Sequence, residues 1–212
     1  GRRYMCETLW VEEAKLMDNL VADLIGPDLR LHHTKINCKL PGAGTVVDWH
    51  QDFNFDPHSN DDVVTCLMFL DEVTPENGPL MTAPGSHRGP IFSHWQGGRF
   101  TGAIAKETSA QFERDAIMHV GPAGSVCFMH SRVAHGSKAN LSTGSRNLFI
   151  AVIAAADAVP LAPNPLPSVH AGLMLKGTEP GRIRSAAFEM ETPEIPDGAS
   201  FFVQQSSQAE RA

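Results

Sequence analysis

Between Leu29 and Ala156 the chain is cut into short apolar or β-branched runs, each closed by a turn signal, and this punctuation limits the fold more than any other feature. Thr45 to Asp52, Val63 to Leu70, Leu80 to Ala83, Ala116 to Val120, Ser125 to Met129 and Arg146 to Ala154 have the length of strands rather than helices. Pro75-Glu76-Asn77-Gly78, Pro84-Gly85-Ser86 and Gly121-Pro122-Ala123-Gly124 stand between them, with residues that set or tolerate turn dihedrals. Leu29 to Lys39 alternates with a period of two, carries an unusually polar face and stops at Pro41-Gly42-Ala43-Gly44. Many short strands joined by tight turns close into a sandwich or barrel. Upstream, Trp10, Ala14, Met17, Val21 and Leu24 recur at three- and four-residue steps, which predicts a helix over about 7–25 that Gly26-Pro27 ends.

The 212 residues suit a single domain over 1–212, with its core at about 29–156, the helix in front and a Pro-rich tail over 157–212. Ile91 to Asp115 interrupts the strand series with mixed polar sequence and Gly97-Gly98; a connection of that length is a candidate lid. The net charge is −7 and no basic run occurs, so a nucleic-acid or anionic-lipid partner is not expected and a small-molecule partner is. The longest apolar stretch, Leu148 to Ala156, is about half the length of a membrane span. Oligomeric state is not legible here. Cys6, Cys38, Cys66 and Cys127 form no C-x-x-C pair and read as reduced cysteines of a cytoplasmic protein.

The sharpest local feature is Trp49-His50-Gln51-Asp52, because residues i and i+2 of a strand share a face and can bring an imidazole and a carboxylate to one metal. With ten His and twelve Asp, about half an H-x-D match is expected by chance, so the pair alone carries little. His135 changes its meaning. On a strand opposite His50, it completes a set of two imidazoles and one carboxylate that leaves three positions of an octahedral ion open. Those positions suit a bidentate 2-oxo acid and O2. The far carboxylate of such a cosubstrate needs a buried cation, and the planar, permanently charged fork of Arg146 fits that need.

His50-x-Asp52, His135 and Arg146 eleven residues later, together with His135-Gly136-Ser137 and Asn77-Gly78-Pro79-Leu80 followed by Pro84-Gly85-Ser86-His87, resemble the phytanoyl-CoA dioxygenase family from about residue 26 to 156. Lys35-Ile36-Asn37-x-Lys39 and Gly121-Pro122-Ala123-Gly124-Ser125 are similar to its bacterial ectoine and free-proline hydroxylases. The resemblance implies a mainly β, cupin-like double-stranded β-helix (jelly roll). It also implies an Fe(II)- and 2-oxoglutarate-dependent dioxygenase that uses O2 to hydroxylate a small organic substrate and releases succinate and CO2. His50, Asp52 and His135 then hold iron, Arg146 and Ser137 hold the distal carboxylate of 2-oxoglutarate, and Lys39 and Asn37 contact the same cosubstrate. His33 stands at the position of a substrate-contacting glutamine. Phe53-Asn54-Phe55-Asp56-Pro57-His58 departs from the Trp-containing segment of the ectoine enzymes, which argues against ectoine and leaves an amino-acid-like molecule as the expected substrate class. Asp52 itself argues against halogenation, where the carboxylate ligand is replaced by Ala or Gly.

Read without the resemblance, Lys39 is a solvated strand-end lysine, His33 and His130 are structural histidines, His87 braces the Pro84-Gly85 turn, Trp49 belongs to the core and Asn77 caps a turn. Two other functions share the triad. A zinc-dependent hydrolase uses the same ligand types, and a non-catalytic cupin-like binding protein could retain them.

Overall fold

The computed structural model describes residues 17–194. Helix α1 occupies residues 17–25 there, and the predicted helix over 7–16 lies outside the described residues. Gly26 ends α1 in the left-handed region, at φ 107°, with its N–H donated to the Ala22 carbonyl at 2.9 Å.

Eleven strands follow: β1 (Leu29–Lys39), β2 (Val47–His50), β3 (Val63–Phe69), β4 (Leu80–Thr82), β5 (Trp95–Gln96), β6 (Arg99–Phe100), β7 (Ile117–His119), β8 (Val126–His130), β9 (His135–Ser137), β10 (Arg146–Ala155) and β11 (Met174–Lys176). A second helix, α2 (Lys106–Asp115), precedes β7. The strands form two antiparallel jelly-roll sheets, a five-stranded one ordered β11-β1-β10-β3-β8 and a four-stranded one ordered β2-β9-β4-β7. The mainly β expectation holds, and the jelly roll explains why the runs are short: from β1 to β4 and from β7 to β10 each strand crosses one sheet and the next lies in the other.

β10 is apolar on both faces because it is covered on both. Ala151 and Ile153 pack with Leu29, Leu31, Val64 and Cys66 under Val21 and Ile25 of α1. Leu148 and Ile150 face inward and meet Leu67, Phe69, Met129 and, from the opposite sheet, Leu80. This intersheet layer fills only part of the interior. The remainder is lined by polar side chains.

Residues 91–115 are not an irregular excursion. They contain the hairpin β5-β6, which turns at Gly97 and Gly98 with φ 58° and 77°, and they contain α2. Phe92, Ile104 and Phe112 pack on Trp49 and Met81, covering the outer face of the four-stranded sheet, and the Ile104 N–H donates to the Trp49 carbonyl at 2.7 Å. The sequence reading missed these elements because their apolar positions are sparse. Beyond β10 the described chain crosses back over the molecule. β11 extends the large sheet beside β1, and Ser59 Oγ donates to the Arg184 carbonyl at 2.8 Å. Among the described residues no helix is long and apolar enough to cross a membrane, and Cys38, Cys66 and Cys127 are free thiols.

Candidate active site

The register of β2 on β9 sets His50 directly opposite His135 and brings their ring centroids to 4.0 Å. The approach of these strands is close. A Cβ on Gly136 would lie 2.8 Å from the Val47 carbonyl oxygen, so the residue between His135 and Ser137 has to be glycine. Asp52 reaches the pair by a route the sequence reading did not foresee. It is not a strand residue sharing a face with His50 but the first residue of a 3-10 turn, Asp52–Asn54, and the turn folds its carboxylate back beneath both rings. Asp52 Oδ1 lies 3.6 Å from His50 Nε2 and 3.5 Å from His135 Nε2.

The hydrogen bonds around the three side chains fix their chemistry. His50 Nδ1 donates to the Asp48 carbonyl and His135 Nδ1 to the Val133 carbonyl, both at 2.8 Å. A carbonyl only accepts, so each Nδ1 carries a proton and each Nε2 is turned towards Asp52. Thr65 Oγ1 on β3 donates to Asp52 Oδ2 at 2.8 Å and leaves Oδ1 for the imidazoles. Burial, with His50 beside it, pushes the His135 imidazole down to about 4, so it is neutral near pH 7. Burial alone would raise the Asp52 carboxyl, but His135, His50 and Lys35 outweigh it and hold the group well below the usual carboxylate range. Two imidazoles and an anionic carboxylate converge, which is a donor set for a divalent cation.

A second polar group lies along the interior face of β1. Lys39 pairs with Arg146 across β1 and β10, and the two are only 1% and 2% exposed. Lys39 is therefore not the solvated strand-end lysine that its type suggests. Its Nζ donates to Ser137 Oγ at 2.6 Å and to the Lys138 carbonyl, while Arg146 donates to Asn37 Oδ1 at 3.2 Å and to the Gly78 carbonyl at 2.9 Å. Arg146 Nε is buried without a partner, and among the described residues no carboxylate pairs with either cation. Burial pulls Lys39 down to about 7, with Arg146 adding to the effect, and burial pulls Arg146 down to about 10. Two buried cations without an anion are costly, and this arrangement fits a ligand that brings the missing charge.

Gly78 makes the cradle feasible. Its φ is +75°, and a Cβ there would lie 2.6 Å from the Lys138 carbonyl oxygen and 2.7 Å from Lys39 Cδ. Asn77 holds the turn before it, accepting from the Thr74 N–H and donating to the Glu72 carbonyl, both at 2.9 Å. At the Pro84-Gly85 turn the brace is Ser86, which donates to the Ala83 carbonyl, and not His87, whose ring lies 5.5 Å from that of His130.

The structure thus brings together His50, Asp52 and His135, and separately Asn37, Lys39, Ser137 and Arg146. His33 faces the same interior, but its Nδ1 lies 2.8 Å from that of its neighbour His32. Three contributors escaped the sequence reading. Thr65 is one strand residue among many. Gln51 is wholly buried, donates to the Pro90 and Arg132 carbonyls and accepts from the Phe92 N–H, so it ties the segment after Pro90 to β2. His94 accepts the Gln51 N–H at Nε2, and its Nδ1 is buried without a partner.

Residues 6–148 match the family model described as phytanoyl-CoA dioxygenase. The chain belongs to the phytanoyl-CoA dioxygenase family. Among similar proteins, a probable alpha-ketoglutarate-dependent hypophosphite dioxygenase of Stutzerimonas stutzeri is 41% identical over 155 residues, covering 71% of this chain and 54% of that protein. An ectoine dioxygenase of Stutzerimonas stutzeri is 31% identical, with 59% and 47% covered. The crystal structure of EctD from S. alaskensis with bound Fe superposes with a TM-score of 0.56 at 25% identity, covering 81% of this chain and 59% of that one. The chain spans about half the length of the curated relatives it matches. Family and fold are therefore settled together, and the jelly roll described above is the scaffold the family uses.

Proposed function

We propose that this chain carries the active site of an Fe(II)- and 2-oxoglutarate-dependent dioxygenase that oxidises a small polar molecule, by hydroxylation, with release of succinate and CO2. The observation that carries the reading is the joint occurrence, on one barrel interior, of a converging two-His-one-Asp set and a buried Lys39–Arg146 pair that has no carboxylate partner among the described residues. His50, Asp52 and His135 would hold the iron. Arg146, Lys39, Ser137 and Asn37 would hold the distal carboxylate of 2-oxoglutarate. When bound, Fe(II) with 2-oxoglutarate and O2 supplies the two-electron oxidation that no side chain here can perform.

The protein's own contribution is placement and charge. Asp48 and Val133 fix the two imidazoles in the tautomer that can ligate, and Thr65 fixes the carboxylate. Lys39 and Arg146 anchor one end of the cosubstrate, and Gly78 and Gly136 allow the backbone to come close enough to do so. The substrate would enter at the other end of the β1 face, towards His33. The relatives that act on hypophosphite and ectoine support a small polar substrate, and the acidic chain offers no basic surface for the phosphates of a CoA thioester. The free thiols of Cys38, Cys66 and Cys127 fit a reducing compartment such as the cytoplasm.

A zinc hydrolase would use the triad but would leave Lys39 and Arg146 buried for no purpose. A binding module without catalysis would need neither the converging His50–Asp52–His135 set nor the anion cradle. The deciding experiment incubates the protein with Fe(II), 2-oxoglutarate and O2 and measures succinate while small polar acids, amino acids and hypophosphite are supplied in turn. Substrate-stimulated succinate release supports the proposal; hydrolysis in the presence of zinc without any succinate would overturn it.

A further inference from the structure

Four side chains outside the triad gather at the end of the β1 interior face opposite Lys39. β1 slips register between Leu31 and His33, and this bulge inserts an extra residue, so that two adjacent histidines are buried together instead of pointing to opposite faces. His32 Nδ1 and His33 Nδ1 are 2.8 Å apart, and Asp56 Oδ2 lies 3.9 Å from His33 Nδ1. His32, His33 and Asp56 each place a ligand atom within 4.8 Å of the others, as His50, Asp52 and His135 do. Atoms sharing one divalent ion at about 2.0–2.2 Å lie no more than roughly 4.3 Å apart, so the 2.8 and 3.9 Å separations fit a common ion and the third pair needs at most a small closing movement.

The surroundings leave this cluster unsatisfied. His33 is 1% exposed and its Nε2 has no partner, and Asp56 Oδ1 is buried without one as well. His58 supports the cluster from behind: its Nδ1 donates to the Asp56 carbonyl at 2.8 Å, and its ring stands edge-on to His32 at 4.9 Å. The described tail crosses over it, with Leu161 N–H donating to the Pro57 carbonyl. The His32 and His33 Nδ1 atoms hydrogen-bond each other, but a buried imidazole Nε2 and a buried carboxyl oxygen stay unpaired under a covering segment, which is costly unless a ligand rearranges the cluster.

We propose that His32, His33 and Asp56 form a second divalent-cation site, suited to Zn(II), Co(II) or Ni(II), that staples β1 to the turn carrying Asp52. The two-imidazole, one-carboxylate donor set selects that class of ion over Mg(II) or Ca(II), which take oxygen ligands. The staple acts on the active site through the backbone: Phe55 and Asp56 donate their N–H groups to the Asp52 carbonyl at 2.9 and 3.2 Å, so an ion holding Asp56 holds the turn that presents the Asp52 carboxylate. Ligation through His33 Nδ1 moves its ring proton to Nε2, which makes that atom a donor for the substrate end of the pocket.

The test counts Co(II) bound to the full chain, by metal analysis after equilibrium dialysis, in wild type and in three variants. Wild type should bind a second equivalent beyond the first. Asp52→Ala should lose one equivalent, and Asp56→Asn and His32→Gln should each lose one while circular dichroism shows them folded. Co(II) should still raise the melting temperature of Asp52→Ala, and should no longer do so when Asp56→Asn is added. A single equivalent in wild type that Asp52→Ala abolishes would overturn the second site and leave the proposed function intact. Conversely, an equivalent that survives Asp52→Ala but not Asp56→Asn, with no other, would support the second site and sink the iron triad.

Discussion

The two sheets of the jelly roll divide the labour unequally. The five-stranded sheet has long strands, and its central strand β10 is packed on both faces. The four-stranded sheet consists of strands of only three or four residues, yet it supplies both imidazoles of the triad and Ser137. The large sheet contributes Asn37 and Lys39 on β1 and Arg146 at the start of β10, where its apolar run stops, and Thr65 on β3, which holds the Asp52 carboxylate. The packed apolar core thus lies mainly with the large sheet and the two imidazoles with the small one, and the sheets meet where Lys39 Nζ donates to Ser137 Oγ. The small sheet depends on its partners: it is held in place by the intersheet layer on one side and by Trp49, Phe92, Ile104 and Phe112 on the other.

If that division is right, the largest effect comes from the small sheet's own turn. Asp52→Ala should abolish substrate oxidation and iron retention, measured by product formation and metal content, with little change in folding. Retained turnover at full iron occupancy would break the comparison. Next comes the large sheet's contribution. Arg146→Ala removes one of the two cations of the anion cradle; loss of one partner of a buried charge pair commonly costs about 3–5 kcal/mol, or at least about a hundredfold in 2-oxoglutarate affinity. Iron binding in that variant should stay near wild type, and a parallel loss of iron would show that the two sheets do not act separately.

A smaller and sharper probe is Gly136→Ala, which touches no ligand. Its Cβ would sit 2.8 Å from the Val47 carbonyl and push β2 from β9. Iron affinity should fall by about tenfold or more while the melting temperature falls only slightly, since overpacking typically costs about 1–3 kcal/mol. Smallest is a proton. Lys39 has a folded value of about 7 against an ordinary 10.5, so between those values the unfolded chain holds more protons and the unliganded protein gains stability as pH rises. A bound carboxylate reverses that preference. At pH 8, 2-oxoglutarate binding should therefore take up close to one proton, read from calorimetry in buffers of different ionisation enthalpy, and Lys39→Met should remove the uptake.

Most of the large sheet is legible in the sequence because β1, β3 and β10 are long and strongly patterned, Leu29 to Lys39 and Arg146 to Ala154 matching β1 and β10 within a residue; its three-residue edge strand β11 lies in what reads as a tail. The triad and Arg146 were legible through spacing and residue type. The route of Asp52 was not, since an H-x-D pair reads as strand alternation and nothing in Asp52-Phe53-Asn54 announces a 3-10 turn. The burial of Lys39 was equally hidden, because lysine at a strand end is ordinarily wet and only the pairing with Arg146 encloses it. The bulge at His32 and His33 and the role of His94 leave no periodic trace, and they depend on contacts with distant residues such as Asp56 and Gln51. Residues 91–115 read as a candidate lid because the segment is long, polar and carries Gly97-Gly98, and the packing of Phe92, Ile104 and Phe112 on Trp49 becomes visible only in three dimensions.

The central claim is that one interior holds Fe(II) on the small sheet and 2-oxoglutarate between the sheets at the same time. An anaerobic titration of the Fe(II)-loaded protein with 2-oxoglutarate tests this most directly, by the weak visible charge-transfer band that arises only when the 2-oxo acid chelates the metal. The account predicts a saturable band in wild type, a band in Arg146→Ala that needs at least about a hundredfold more 2-oxoglutarate, and none in Asp52→Ala. A protein that retains stoichiometric iron yet develops no band at any 2-oxoglutarate concentration, or develops it equally well without Arg146, would contradict it.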